Sequence, residues 1–103
     1  MKPLVLIVDD EKSFRTLYSQ TVNVLDVNVI TAASGEDALE LIKNQTPNIV
    51  ISDVRMTGIN GIELLKKVKE NFPDLPFLLV TAYASIRDAV SSLKYGAIDY
   101  LEK

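Results

Sequence analysis

Ile49-Val50-Ile51-Ser52-Asp53 decides the fold: an apolar run of strand length that ends in a carboxylate. Three other apolar runs also end in reactive side chains. Leu4 to Val8 stops at Asp9-Asp10, Phe77 to Val80 at Thr81, and Tyr100-Leu101-Glu102 at Lys103. A parallel sheet brings the carboxyl ends of its strands to one edge, where open α/β folds place their ligands. Acids, a hydroxyl and an amine then gather around Asp53. This arrangement leads us to expect Asp53 to be a phosphate acceptor and the chain to be a switch.

Between these runs lie stretches of helical period, so the chain reads as alternating βα units. Leu4 to Val8 is apolar throughout, as a strand covered on both faces should be. Phe14, Leu17, Tyr18, Val22 and Leu25 form one stripe of a helix over about 13–25, expected to meet the sheet. A second strand over about 27–32 carries Asn28 and Thr31 and belongs at an edge. Ser34 with Asp37 and Ser85 with Asp88 mark two helix starts. Ala38, Leu39 and Ile42 give the second helix its buried side, and Leu64, Leu65 and Val68 do so for a third over about 61–71. In the fourth, Ala89, Val90 and Leu93 are expected inward. Gly58 and Gly61 free the backbone of the loop after Asp53, and Gly96 supplies a left-handed helix end. A last strand runs over about 99–102. Right-handed crossovers with one reversal give strand order 2-1-3-4-5, with one helix on one face and three on the other. The first face is short of a helix, so residues 1–103 are expected to form a single domain that stops before its fifth helix, or one whose gap a partner covers.

The 103 residues suffice for one domain that buries roughly 60 to 65% of its unfolded surface. Without cysteine there is no disulfide, thiolate metal site or thiol nucleophile, and without histidine no imidazole base or ligand. Chemistry falls to carboxylates, hydroxyls and lysine. No apolar run spans a bilayer and no signal peptide opens the chain, so a cytoplasmic protein with no membrane contact is expected. A net charge of −3 without a basic stripe speaks against direct contact with nucleic acid.

Converging carboxylates either raise one another's pKa or hold a cation. Magnesium takes hard oxygen ligands and keeps positions open for a phosphoryl oxygen. Asp10 and Asp53 are expected as direct ligands, with Asp9 a second ligand or acting through water. Singly, each residue has an ordinary explanation: acids after a strand cap the next helix, Thr81 is a strand end, and Lys103 is a solvated lysine. Together, a carboxylate nucleophile can form an acyl phosphate while magnesium, Lys103 and Thr81 balance the transferring oxygens.

From Leu4 to Lys103 the sequence resembles the receiver domain of two-component response regulators. The matching pieces are Leu-Ile-Val-Asp-Asp-Glu at 6–11, Ser-Gly-Glu-Asp-Ala-Leu at 34–39 and Pro-Asn-Ile-Val-Ile-Ser-Asp-Val-Arg-Met at 47–56. They continue with Asn-Gly-Ile-Glu-Leu-Leu at 60–65, Val-Thr-Ala-Tyr at 80–83 and Gly-Ala-Ile-Asp-Tyr-Leu-Glu-Lys at 96–103. The resemblance implies a flavodoxin-like, CheY-like doubly wound sheet. It also implies that Asp53 takes a phosphoryl group from a sensor histidine kinase or a small donor such as acetyl phosphate. Asp9, Asp10, Asp53 and the backbone carbonyl of Arg55 are implied to arrange Mg2+, and Lys103 to meet the phosphoryl oxygens. Thr81 and Tyr100 are implied to form the switch, while Arg55 and Tyr83 match positions that tune phosphate lifetime.

Thr57 departs from the family's usual proline and Asn60 from its frequent aspartate; both touch the loop and spare the acids. The tract 52–103 is most like receivers of the nitrogen-regulator class of bacterial transcription activators. That likeness implies a separate ATPase and DNA-binding output, and the surface of the fourth helix and fifth strand implies a homodimer. The domain is thus expected to be a regulatory phosphoacceptor that assists its own phosphorylation and dephosphorylation, not an enzyme in the ordinary sense. Two other readings stand beside it. One is a pseudo-receiver that binds partners without phosphorylation, the other an aspartyl-phosphate phosphohydrolase using Asp9 and Glu11. Nucleotide-cradling glycine loops are absent from the sequence.

Overall fold

The structure is a computed structural model that describes residues 2–103. Five strands alternate with four helices: β1 (Leu4–Val8), α1 (Lys12–Asn23), β2 (Asn28–Ala32), α2 (Gly35–Asn44), β3 (Ile49–Asp53), α3 (Gly61–Asn71), β4 (Phe77–Thr81), α4 (Ile86–Lys94) and β5 (Asp99–Glu102). All pairings are parallel, in the order β2-β1-β3-β4-β5 expected from the sequence. The apolar strand β1 is paired on both sides, and β2, with Asn28 and Thr31 exposed, forms an edge.

One face of the sheet carries the main core. Leu6, Val8, Val50, Phe77 and Leu79 pack there against Ala38 and Ile42 of α2 and Leu64, Leu65 and Val68 of α3. Helix starts follow local chemistry. Ser34 and Ser85 accept the amides of Asp37 and Asp88. Asn60 accepts from Ile62 and Glu63 while Glu63 reaches back to the Asn60 amide, a complete capping box. The residue that departs from the family's aspartate is therefore a competent cap.

Among the described residues the opposite face is covered by α1 alone. Val5, Ile7 and Val80 are buried on it, whereas Ile49, Ile51 and Leu78 are only half-buried and Leu101 is exposed.

Three expectations need correction. Helix α1 ends at Asn23 and buries no residue; Leu17 and Leu25 are exposed, because the helix lies over β1 and β2 with no neighbouring helix to close on its outer side. In α4, Val90 and Leu93 point outward at 61% and 54% exposure, and the inward face is Ser92 with half-buried Ala89. Small side chains let α4 lie close to the sheet margin, and its apolar stripe faces solvent. Finally, Gly58 and Gly96 do adopt positive φ, but Gly61 does not. Its requirement is space, since a Cβ there would collide with the carbonyl oxygen of Asp53 and meet Leu79. Gly61→Ala should cost about 1 to 3 kcal/mol, as overpacking does, and displace the end of β3. Urea unfolding of the variant measures this, and an unchanged midpoint would refute it.

Candidate functional site

Strand register assembles the site. Val8 pairs with Ser52, which sets Asp9 abreast of Asp53, and Thr81 pairs with Glu102, which carries Lys103 past the end of β4. Carboxylate oxygens of Asp9, Asp10 and Asp53 lie within 4.8 Å of one another. Asp9 and Asp53 are buried and Asp10 is exposed.

Lys103 is no solvated lysine. Its side chain is 7% exposed, and Nζ donates to Asp9 Oδ2 at 2.9 Å and to Asp53 Oδ2 at 3.3 Å. The ammonium also sits 3.8 Å from the centre of the Phe14 ring, a favourable cation–π contact. The remaining oxygens have partners as well. The Glu11 amide donates to Asp9 Oδ1 at 3.0 Å and the Arg55 amide to Asp53 Oδ1 at 3.4 Å. Asp10 Oδ2 accepts from the Thr57 amide at 3.2 Å and the Thr57 hydroxyl at 3.3 Å. Arg15 donates to the Asp9 carbonyl at 2.8 Å and ties α1 to the loop that carries the acids.

Burial, and then the charge of Asp9, push the Asp53 carboxyl above its usual range; Lys103 and the Arg55 amide oppose the shift without cancelling it. Burial by itself would depress the Lys103 amine, but its hydrogen bond to Asp9 and the charges of Asp53 and Asp9 hold it above its usual range. A carboxyl that keeps its proton more tightly when folded contributes stability to the metal-free protein that is fully present below the unfolded value of 3.8; that share is lost as pH rises through the folded value. Removing the charge at 53 removes this loss. Metal-free Asp53→Asn should therefore lose less stability than wild type between pH 4 and neutrality in thermal melts, and parallel curves would contradict the assignment. Lys103 has the same sign at the other end of the scale, its stabilisation lapsing as pH climbs past 10.5.

Thr81 is fully buried, and its Oγ1 accepts from the Tyr83 amide at 3.1 Å. Tyr100 is half-buried against the main core, and its hydroxyl accepts from the Ser85 amide, the N-cap of α4, at 3.2 Å. The guanidinium of Arg55 lies 5.6 Å from the Tyr83 ring. The sequence-expected residues thus form two groups, an acid–amine centre and a β4–α4 rim. Phe14, Arg15 and Thr57 belong to the surroundings of the centre but were not anticipated as such. Phe14 belongs by spacing to the apolar stripe of α1, and periodicity cannot reveal that an ammonium rests on its ring.

The response regulator receiver domain model matches residues 5–103. The chain belongs to the response regulator receiver domain family. Among its relatives, the transcriptional regulatory protein ZraR of Escherichia coli strain K12 is 42% identical over 99 residues, 96% of this chain and 22% of that protein. The DNA-binding transcriptional regulator NtrC of Klebsiella pneumoniae is 37% identical over 97 residues, 94% of this chain and 21% of that protein. The chain spans about a fifth of the length of these curated relatives. Among solved structures, a CheY-like response regulator receiver domain protein from Methanospirillum hungatei superposes with a TM-score of 0.95 at 31% identity, covering 100% of this chain and 82% of that one. The chemotaxis protein CheY4 of Vibrio cholerae gives 0.90 at 30% identity, covering 100% and 86%. The receiver family and the CheY-like fold expected from the sequence are both met, and the relatives are transcriptional regulators. Among the described residues no helix is long and apolar enough to cross a membrane.

Proposed function

We propose that this receiver domain is a working phosphoacceptor, with Asp53 the residue modified. The observation that carries the reading is the convergence of Asp9, Asp10 and Asp53 around the buried Lys103 ammonium at the sheet edge. An Asp53 oxygen forms a bond to phosphorus as the phosphorus–nitrogen bond of a kinase phosphohistidine breaks, and the departing imidazole nitrogen keeps the electron pair. With acetyl phosphate the broken bond is phosphorus–oxygen and acetate leaves. Lys103 stands 3.3 Å from Asp53 Oδ2, placed to balance charge on the incoming oxygens.

The donor set suits Mg2+: three carboxylates are hard oxygen ligands, and the loop after β3 can add the Arg55 carbonyl. When bound, the ion draws charge from the phosphoryl oxygens. Thr81 and Tyr100 act as the switch. The Thr81 hydroxyl turns from Tyr83 toward a phosphoryl oxygen, and the Tyr100 ring moves with it, pulling on the Ser85 cap of α4. Arg55 and Tyr83, stacked at the mouth, screen attacking water and so set phosphate lifetime.

The domain is regulatory, with residues 1–103 acting in a longer cytoplasmic regulator. A fifth helix suits the half-covered face at Ile49, Ile51, Leu78 and Leu101. The partners are a sensor histidine kinase, a second copy through α4 and β5, and an ATPase and DNA-binding output that makes the nucleic-acid contact. A phosphohydrolase built on Asp9 is less favoured because its second acid, Glu11, is exposed and is not one of the three carboxylates that converge. Incubation with Mg2+ and acetyl phosphate should add the mass of one phosphoryl group. No gain, with binding of a partner retained, would instead indicate a pseudo-receiver.

A further inference from the structure

We propose that Thr57 is a positioning residue for the divalent-cation site, holding Asp10 through its main-chain N–H and its hydroxyl. The inference rests on the reading of the three acids as a cation site. Of those acids, Asp9 and Asp53 are buried and fixed by Lys103 and by amides of their own loops. Asp10 is exposed, and among the described residues its carboxylate receives hydrogen bonds from Thr57 alone.

Both bonds end on Oδ2, which leaves Oδ1 free to face a cation. They cross 47 positions of sequence and fasten the loop after β1 to the loop after β3. The second loop is the one that carries the Arg55 carbonyl, so one threonine sets the spacing between two parts of the donor set. Gly58, at φ 80°, follows directly, and its left-handed backbone shapes the loop at the point where the Thr57 amide meets Asp10. A proline at 57 has neither an N–H nor a hydroxyl and could make neither bond. Loss of a partner that orients a ligating carboxylate typically weakens metal binding by about 10- to 100-fold.

The test is calorimetric titration of the chain with MgCl2 alone, together with the apo melting temperature of each variant. Thr57→Val keeps the amide donor and loses the hydroxyl, so its Mg2+ dissociation constant should rise about threefold, the worth of one modest hydrogen bond. Thr57→Pro loses both donors and should bind about tenfold more weakly. Thr57→Ser keeps both and should bind like wild type. In nuclear magnetic resonance spectra, the Thr57 amide should shift with Mg2+ in wild type and in Thr57→Ser. Should Thr57→Val fold normally and bind Mg2+ as tightly as wild type or more so, the Thr57 hydroxyl does not position Asp10 and the proposal as stated is overturned. Wild type that takes up no Mg2+ overturns the cation site and the proposal with it. The valine variant keeps the test decisive even where proline unsettles the loop.

Discussion

Asp53→Asn is expected to abolish labelling by acetyl phosphate while the chain stays folded. The amide nitrogen and oxygen of asparagine carry no negative charge, and neither is a competent nucleophile toward phosphorus. Neighbouring acids do not substitute. Asp9 is more deeply buried than Asp53 and held more closely by Lys103, at 2.9 against 3.3 Å, and Asp10 is tied to Thr57 on the exposed side of the cluster. Intact mass after incubation with Mg2+ and acetyl phosphate should show one added phosphoryl group in wild type and none in the variant. Labelling of the variant at wild-type level would move the acceptor elsewhere and dismantle the proposed role of Asp53.

Lys103→Ala is expected to produce the largest loss of stability. Removing one member of a buried ionic cluster leaves its partners uncompensated, at a cost of about 3 to 5 kcal/mol. Here two partners are stranded, with side-chain exposures of 2% for Asp9 and 6% for Asp53. A domain of this kind has a total stability of about 5 to 15 kcal/mol, so the loss is a large share of it. It should be greatest near neutral pH in the absence of metal, where the raised Asp53 carboxyl is driven to ionise with no ammonium beside it. Saturating Mg2+ should recover part of it by supplying positive charge to the same oxygens. Urea midpoints with and without MgCl2 measure both effects. The variant should still take up Mg2+, yet phosphorylation should no longer move the Tyr100 environment. A midpoint equal to wild type would show that the ammonium contributes nothing to the folded state, and an undiminished Tyr100 response would remove Lys103 from the proposed signalling path.

Most of the architecture was legible because strand and helix periods in this chain are clean and their order admits few topologies. The run Leu4–Val8 is apolar at every position and is indeed paired on both sides, and the acids at its end meet Asp53 through register alone. The readings of α1 and α4 failed for a common reason. Apolar spacing tells which residues share a helix face, but not whether anything lies against that face. Leu17, Val90 and Leu93 have the spacing of buried residues and are exposed, while Ser92, polar in sequence, is fully buried with its hydroxyl on the Ala89 carbonyl. The site showed the same limit. Residue types named the acids and the amine, whereas the bonds of Thr57 to Asp10 and of Arg15 to the Asp9 carbonyl depend on how loops cross in space. Asn60 lay between these cases. Its cap is written in Asn-Gly-Ile-Glu, a Ser/Thr-free version of the usual cap spacing that the structure shows complete.

The thin seat of α4 has a mechanical consequence. A helix whose only fully buried side chain is a serine gives up little dry contact when it shifts, so its resting position is a shallow energy well. One hydrogen bond from the Ser85 amide to the Tyr100 hydroxyl is then a sizeable lever on it. Ångström-scale events at the proposed phosphorylation centre should leave the molecule by way of this helix, the part of the scaffold least costly to move.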